Sequence, residues 1–327
     1  MPRPAGVLYT LRPDIAESME EFDLQADREG YIGTKVFPIF DTGLKAGPWG
    51  RIPLEQLLQN RETRRAPGAA YSRGQWKFET GAYACIENGT EEPVDDNEAA
   101  AYREYFDAEL MAAMRARSIV LSNQEQRIAA KLFNTTTFTG AALTTAVGTT
   151  WDTVASATPI DDVEAAVNKV YDGSGLWPNA LVMNKKVFRK LRHIDQIIDR
   201  ITSSGAGNPA KPSDITVAML REVFDIEHIL VAGGTKNGAD QGQTATPTQI
   251  WSGNYVSVCR IATTNDFREP CIGRTFHWTG DGSEPECAME TYRDETVRGN
   301  VVRARHDTDE QIYHAQAAHL LTNIGVS

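Results

Sequence analysis

NALVMNKKVFRKLRH, residues 179–193, reads as a short apolar strand that turns at Asn184 into a basic helix. Nucleotide enzymes hold phosphate at such a junction, because the free N–H groups and dipole of a helix start favour an anion. A phosphate loop also needs glycines that let the backbone wrap the ligand, followed by Lys and Ser or Thr. Here the turn is MNKK, without glycine, and Gly233-Gly234-Thr235-Lys236 has similar residue types in the wrong order. Asn184 therefore reads as a helix cap, and the helix as scaffold with a solvated basic face.

Working outward, Thr158 caps and Pro159 opens a preceding helix whose apolar stripe is Ile160, Val163, Val167 and Val170, stopped by Gly173. After DQIIDRI the segment TSSGAGNPAKPSD has the composition of a flexible loop. A third helix near 214–223, a strand over 226–231, a second soft loop and a strand within IWSGNYVSVCRIA complete an α/β unit spanning 158–258. The loops at 202–212 and 233–247, rich in Gly, Pro, Ser, Thr and Asn, are expected to be its most mobile parts.

Ahead of this unit, Asp95 and Glu98 have capping-box spacing in EEPVDDNEAAAY. Tyr102, Phe106, Leu110, Met114, Leu121, Ile128 and Leu132 then fall at steps of four or seven, which predicts one helix over 97–133, about 55 Å long. YSRGQWKFETGAYACIENGT alternates apolar and polar residues around Trp76, Phe78, Tyr83, Cys85 and Ile86, which suggests a hairpin turning near Thr80-Gly81. An isolated hairpin is marginal in water, so this one is expected to need a partner surface. Residues 1–50 read as an extended arm with a brief helical face at Ile15, Met19 and Phe22. The tail beyond Ile261 is β-rich and closes on a short amphipathic stretch, QIYHAQAAHLLTNI.

The chain has 327 residues, long enough for two or three compact units, with 33 Lys+Arg against 44 Asp+Glu and net charge −11. Such an acidic chain has no bulk electrostatic reason to coat nucleic acid, although it can enclose it. Neither a signal-peptide core nor an apolar run of membrane-spanning length is visible, and the reading is of a soluble protein made in the cytoplasm. Cys85, Cys259, Cys271 and Cys287 match no zinc spacing and read as reduced structural thiols. No G-x-S-x-G, H-E-x-x-H or C-x-x-C occurs. His306, His314 and His319 could serve a metal, but 314 and 319 leave one helical face, and core or surface histidines are the better reading. The pairs Glu91-Glu92, Asp95-Asp96 and Asp161-Asp162 sit at proposed helix starts, where dipole and capping roles explain them. TGDGSE at 279–284 lacks the spaced carboxylates of a calcium loop and reads as a turn. Trp76, Trp177, Trp251 and Trp278 read as core or interface anchors, and no motif carries an enzymatic reading.

What remains is an order of parts: arm, basic hairpin, long helix with an acidic start, α/β unit with two soft loops, and a β-rich tail. That order resembles the major capsid protein of tailed bacteriophages. PIDDVEAAVNKVYDGSGLWPNALVMNKKVFRKLRHIDQIIDRI looks like the family's helix, strand, helix entry into its axial domain, and IWSGNYVSVCRIA like the exit strand. PCIGRTFHW, ETYRDETVRGNVVRARHDTD and HLLTNI are similar to its closing stretch.

The resemblance implies an α+β, Hong Kong-type capsid fold. Its parts would be an N-terminal arm (1–50), an extended β-hairpin loop (51–94), a spine helix with the first part of the peripheral domain (95–157), an axial domain (158–258) and a second peripheral part (259–327). It implies no cofactor and no catalysis. The expected partners are copies of the chain in hexamers and pentamers, with separate scaffolding, portal and decoration proteins, and packaged double-stranded DNA without sequence-specific contact; no membrane is involved. The expected location is the virion. Lys77, the only Lys between 50 and 90, is where a crosslink of the kind some members form would fall. A protein-cargo nanocompartment shell shares the fold and is the alternative, with a nucleotide-dependent α/β enzyme as a second. Residues 51–77 carry net +4 and 87–109 net −8. The candidate contacts between subunits are accordingly Arg61, Arg64, Arg65, Trp76 and Phe78 on the hairpin, and Glu91, Glu92 and Asp96 at the acidic helix start.

Overall fold

The computed structural model describes residues 30–326 except 52, 54, 55, 57, 58, 76, 103–106, 204–214, 241, 281, 283, 284 and 286. The helical face at Ile15, Met19 and Phe22, Trp76, and nearly all of the 202–212 loop lie outside the described residues. In chain order, a one-turn helix α1 (Gly33–Val36) leads into β1 (Ile39–Thr42), β2 (Ala46–Arg51), β3 (Glu79–Ala84) and β4 (Ile86–Asp95). Helices α2 (Asp96–Tyr102) and α3 (Ala108–Leu132) follow, then β5 (Thr144–Ala146), α4 (Pro159–Ser174), β6 (Ala180–Asn184), α5 (Lys185–Leu191), α6 (Asp195–Ser203) and α7 (Val217–Phe224). The rest is β7 (His228–Ala232), β8 (Thr235–Asn237), β9 (Pro247–Gln249), β10 (Tyr255–Cys259), β11 (Gly273–Trp278), β12 (Ala288–Asp294), β13 (Gly299–Ile312) and β14 (Ala318–Thr322).

One five-stranded sheet is ordered β5-β14-β10-β6-β7. All five residues of β6 are buried, because layers cover both of its faces. Leu181 and Met183 pack with Val163, Val187, Ile197 and Leu220 of the helical layer, whereas Ala180 and Val182 pack with Ile128 and Leu132 of α3 and with Phe37. This period-two split is what a strand between two layers requires. Local sequence chemistry sets the helices. The Asn184 side chain accepts from Lys186 N at 2.7 Å. Pro159 opens α4, and Gly175, at φ 68°, ends it in the left-handed conformation, two residues beyond the Gly173 expected from sequence. Thr216 caps α7 by accepting from Met219 N. The sheet also takes strands from both sides of 158–258. The closing stretch, read from sequence as an amphipathic end, forms the interior strand β14 between β5 and β10, with Leu320 and Leu321 buried on opposite faces.

The second five-stranded sheet is built on β13. One edge of β13 carries β4 antiparallel from Thr308↔Ile86 to Gly299↔Asp95; the other carries β12 and β11, and β1 adds parallel to β11. Helix α3 crosses this sheet. Arg127 donates to both oxygens of Glu310 and to Thr308 Oγ1, and Lys131 donates to the Glu310 carbonyl.

Two expectations are corrected. Helix over 97–133 is not continuous: Asp107 is extended (φ −83°, ψ 105°) and its carboxylate caps α3 by accepting from Glu109 N and Leu110 N. The buried stripe of α3 is Ala112, Ala116, Val120, Gln124, Ile128 and Leu132, while Leu110 and Ile119 are exposed, because small side chains let the helix lie close on Ala304 of β13. Nor does a hairpin turn at Thr80-Gly81. Both residues lie inside β3, opposite Gly50 and Trp49 of β2. Gly81 is used there because a Cβ would fall 2.3 Å from the Trp49 ring.

Candidate assembly surfaces

The antiparallel pair β2 and β3 is the stem of an excursion whose foot is tied to the sheet. Arg51 donates to Glu79 and to the Tyr313 carbonyl, with the Arg51–Glu79 ion pair at 2.6 Å. Trp49 and Tyr83 flank the stem in an aromatic cluster with Phe40, Phe267, Phe276 and Tyr313; the Tyr83 and Phe276 rings stack at 4.2 Å. Beyond the stem, Arg64 and Arg65 are exposed and Arg61 is half-buried. Arg65 donates to the Ala69 carbonyl at 2.6 Å with its guanidinium 4.7 Å from the Tyr71 ring centroid, and Arg61 donates to Gln59 at 3.1 Å. Phe78 is 69% exposed, and Leu44, Tyr71 and Ile86 are comparably open.

The acidic candidates share one edge of the second sheet, each beside an arginine of its own chain. Glu91 receives Arg303 at 2.6 Å and the Tyr292 hydroxyl at 3.1 Å; Asp96 receives both terminal nitrogens of Arg293 at 2.7 Å; Glu92 lies 3.7 Å from Arg115. Hydrogen bonding to Asp96 pushes the Arg293 guanidinium further up, and Glu91 does the same to Arg303. Asp95 caps α2 by accepting from Asn97 N at 2.7 Å and Glu98 N at 3.4 Å, and Glu109 accepts from Asn300. The acidic run near residue 90 thus serves contacts inside the chain as well as any outside it. Its arginine partners escaped sequence reasoning because Arg293 and Arg303 lie about two hundred residues away and only the β4–β13 register brings them alongside.

Sequence reasoning also missed Glu125. Its 3% exposed carboxylate sits on α3 and accepts from Ile32 N and Gly33 N, each at 2.8 Å, and from Trp251 Nε1 at 2.7 Å. Burial raises its pKa against these three bonds.

The chemistry weighed from sequence resolves into packing. Asn184 spends its amide on the Trp251 carbonyl and Gln249, tying the β6–α5 junction to the strand that follows the second soft loop, where β8 and β9 pair. His319 lies between Thr145 Oγ1 and the Ala142 carbonyl, each at 2.9 Å, and Asp162 accepts from Trp151 Nε1 at 2.8 Å. All four cysteines are buried and outside any disulfide, and burial pushes the Cys259 thiol up to about 12. Among the described residues no group of three His, Cys, Asp or Glu side chains could hold a metal ion, and no helix is long and apolar enough to cross a membrane.

A sheet crossed by a long helix, a second layered sheet, and an exposed stem-and-tip excursion make up the Hong Kong-type capsid fold. No family model matches the chain. Over 262 residues, 77% of this chain and 79% of its relative, it is 25% identical to the major capsid protein of Burkholderia phage BcepMu. The crystal structure of a phage-related protein from Bordetella bronchiseptica superposes with a TM-score of 0.68 at 20% identity, covering 95% of this chain and 97% of that one. The mature capsid of bacteriophage PhiM1 gives 0.55 at 13% identity over 91% and 88%, and the SrpI encapsulin of Synechococcus elongatus 0.54 at 9% over 91% and 88%. The chain thus has the Hong Kong-type capsid fold and is related in sequence to a phage major capsid protein.

Proposed function

We propose that the chain is the shell subunit of a phage head, assembling through hexamers and pentamers into an icosahedral container for double-stranded DNA. The observation that carries this is the exposed excursion. It presents Tyr71 and Phe78, at 71% and 69% exposure, and none of its described residues from 59 to 75 is buried, as expected of an arm that finishes folding on a neighbour. The division into arm, extended loop, spine, axial and peripheral parts follows from that reading, as do separate scaffolding, portal and decoration partners. The role is structural, with no catalytic step. The basic tip is taken to dock on a neighbour's acidic surface around Glu91, Glu92 and Asp96, which would share their charge between in-chain arginines and the incoming loop.

The test is expression of the full chain alone and with the scaffolding protein of its phage, followed by light scattering and negative-stain microscopy. Rings or shells are expected; a monomer at high concentration under both conditions would overturn the reading. The nanocompartment alternative is favoured by the encapsulin likeness in fold, and the phage reading by a sequence relationship to a phage capsid protein. Nuclease-protected duplex DNA inside particles from infected cells supports the head; a single packaged protein without DNA supports the nanocompartment.

A further inference from the structure

Helices α4, α5, α6 and α7 cover the same face of the β6/β7 sheet, with Val163, Val187, Ile197 and Leu220 in one apolar cluster. The two ends of this layer differ in charge. At the end where the parallel strands β6 and β7 begin, α4, α6 and α7 enclose an open cavity of about 690 Å³. Its walls include Glu164, Asp199, Asp225 and Arg200, a net charge of −2, around Val223 and Trp177. Trp177 is 50% exposed and stands edge-on to Tyr171 at 5.4 Å, which leaves an apolar lip beside the acidic groove. At the opposite end of β6, about 13 Å away by strand rise alone, the chain runs KKVFRKLR from 185 to 192 without an acidic residue. Lys190 is held by Asp152 at 2.5 Å and Arg192 lies over the Phe188 ring, whereas Lys186 and Arg189 are exposed.

We propose that the acidic groove between α4, α6 and α7 receives the basic α5 end of a second copy of this chain, head to tail around a capsomer ring. The inference rests on the shell reading above and names a contact that orders its rings. In a heterologous contact the basic end of one copy meets the acidic end of the next, and such contacts close into rings when the rotation allows. Charge at this contact would set register and encounter rate, and the Trp177 lip would supply apolar contact once the ends meet.

The test uses the full chain in three forms: Lys186→Glu/Arg189→Glu, Glu164→Lys/Asp199→Lys, and all four substitutions together. All the altered side chains are exposed, so circular dichroism is expected to match the unaltered chain. Each double variant alone should assemble about ten-fold more slowly at low salt, and the quadruple variant, whose ends are again complementary, should recover. Mixing the two double variants should give alternating rings, which close only with even numbers of subunits, so six-membered rings form and five-membered ones do not. Zero-length carbodiimide coupling of unaltered assemblies should join Lys186 of one copy to Glu164 or Asp199 of the next. A folded quadruple variant that fails to recover, with no such coupling in unaltered particles, overturns the pairing while leaving the shell reading standing. Normal shells from the Lys186/Arg189 variant that only retain less duplex DNA would assign the basic end to the interior, and this also overturns it. An unaltered chain that never assembles overturns both.

Discussion

Glu125 and Trp251 are joined by a buried hydrogen bond of 2.7 Å across 126 positions of sequence. The same carboxylate holds the backbone of Ile32 and Gly33, so one side chain of α3 fastens the segment leading into α1 and the turn that precedes β10 to the helix. Gln at 125 keeps the shape but turns an amide N–H₂ toward donors. Glu125→Gln is expected to cost about 2 to 3 kcal/mol, the scale of leaving buried donors unmatched, read by urea unfolding of the unassembled subunit. A loss near zero would show that the three parts are held by packing alone.

The histidines give a pH dependence of definite sign. Burial, with Arg127 nearby, drives the pKa of His306 down to about 4, and burial also lowers His314 and His319. A histidine depressed in the folded state stabilises it above the unfolded value of about 6.5 and loses that contribution as pH falls from 6.5 toward 4. Glu125, raised by burial, acts in the opposite sense, its contribution present below its unfolded value and lost as pH rises through the folded one. The melting temperature of the subunit should therefore fall between pH 7 and pH 5, and fall less steeply in His306→Gln. A flat profile over that interval contradicts the assignment.

Glu269 predicts a second, more acidic step. Burial would raise its carboxyl, yet hydrogen bonds from Thr264 and Thr263 hold it down to about 2. Its contribution is present above the ordinary carboxylate value of 4.5 and lost between 4.5 and about 2. The gap in melting temperature between the unaltered chain and Glu269→Gln should close across that window and stay constant above it.

Ala116 is fully buried against Ala304 and Val120, where α3 lies close on β13. Ala116→Leu should cost about 1 to 3 kcal/mol by overpacking, again by urea unfolding, while Ile119→Ala on the exposed face should be nearly neutral. Equal losses at both positions would place the helix on a different face.

Arg61, Arg64 and Arg65 changed together to Glu should leave circular dichroism and the melting curve unaltered, because none of the described residues from 59 to 75 is buried. Shell formation should slow markedly at physiological salt. Exposed pairs contribute on the order of 0 to 1 kcal/mol each, so the effect depends on repetition around a shell. Reversing Glu91, Glu92 and Asp96 to Lys is not a clean rescue, since it sets Lys against Arg303, Arg115 and Arg293 within the subunit and should lower its melting temperature. Normal assembly by the triple Glu variant would leave docking to the aromatic residues of the loop.

The parts legible in the sequence are those whose partners are close along the chain. Asn184, Pro159 and the strand-helix alternation around them depend on neighbours a few residues away, and their reading matches the structure. Where partners are distant, local pattern misleads. Gly81 carries a turn signal, but its partner is Trp49, and nothing between them shows that β2 must pair with β3. The apolar stripe of α3 is right at Ile128 and Leu132 and misplaced in its first half, where the buried residues include Ala112 and Ala116, suited to close approach and invisible to a search for large side chains. The basic candidates Arg61, Arg64 and Arg65 are plain from charge, but the in-chain partners of Glu91 and Asp96 depend on distant strand pairing onto β13.

Arg51 and Glu79 stand 28 positions apart in sequence and are ion-paired in space, so the excursion between them leaves and re-enters the molecule at one point. Closing a loop whose ends are already held together depends only weakly on its length, and each doubling adds about 0.6 kcal/mol of entropy cost. Insertions at the tip can therefore lengthen it while the stem, the aromatic cluster and both sheets stay as they are. How far one subunit extends over its neighbours is then a quantity that can drift almost independently of stability, and a single body plan can serve containers of different curvature.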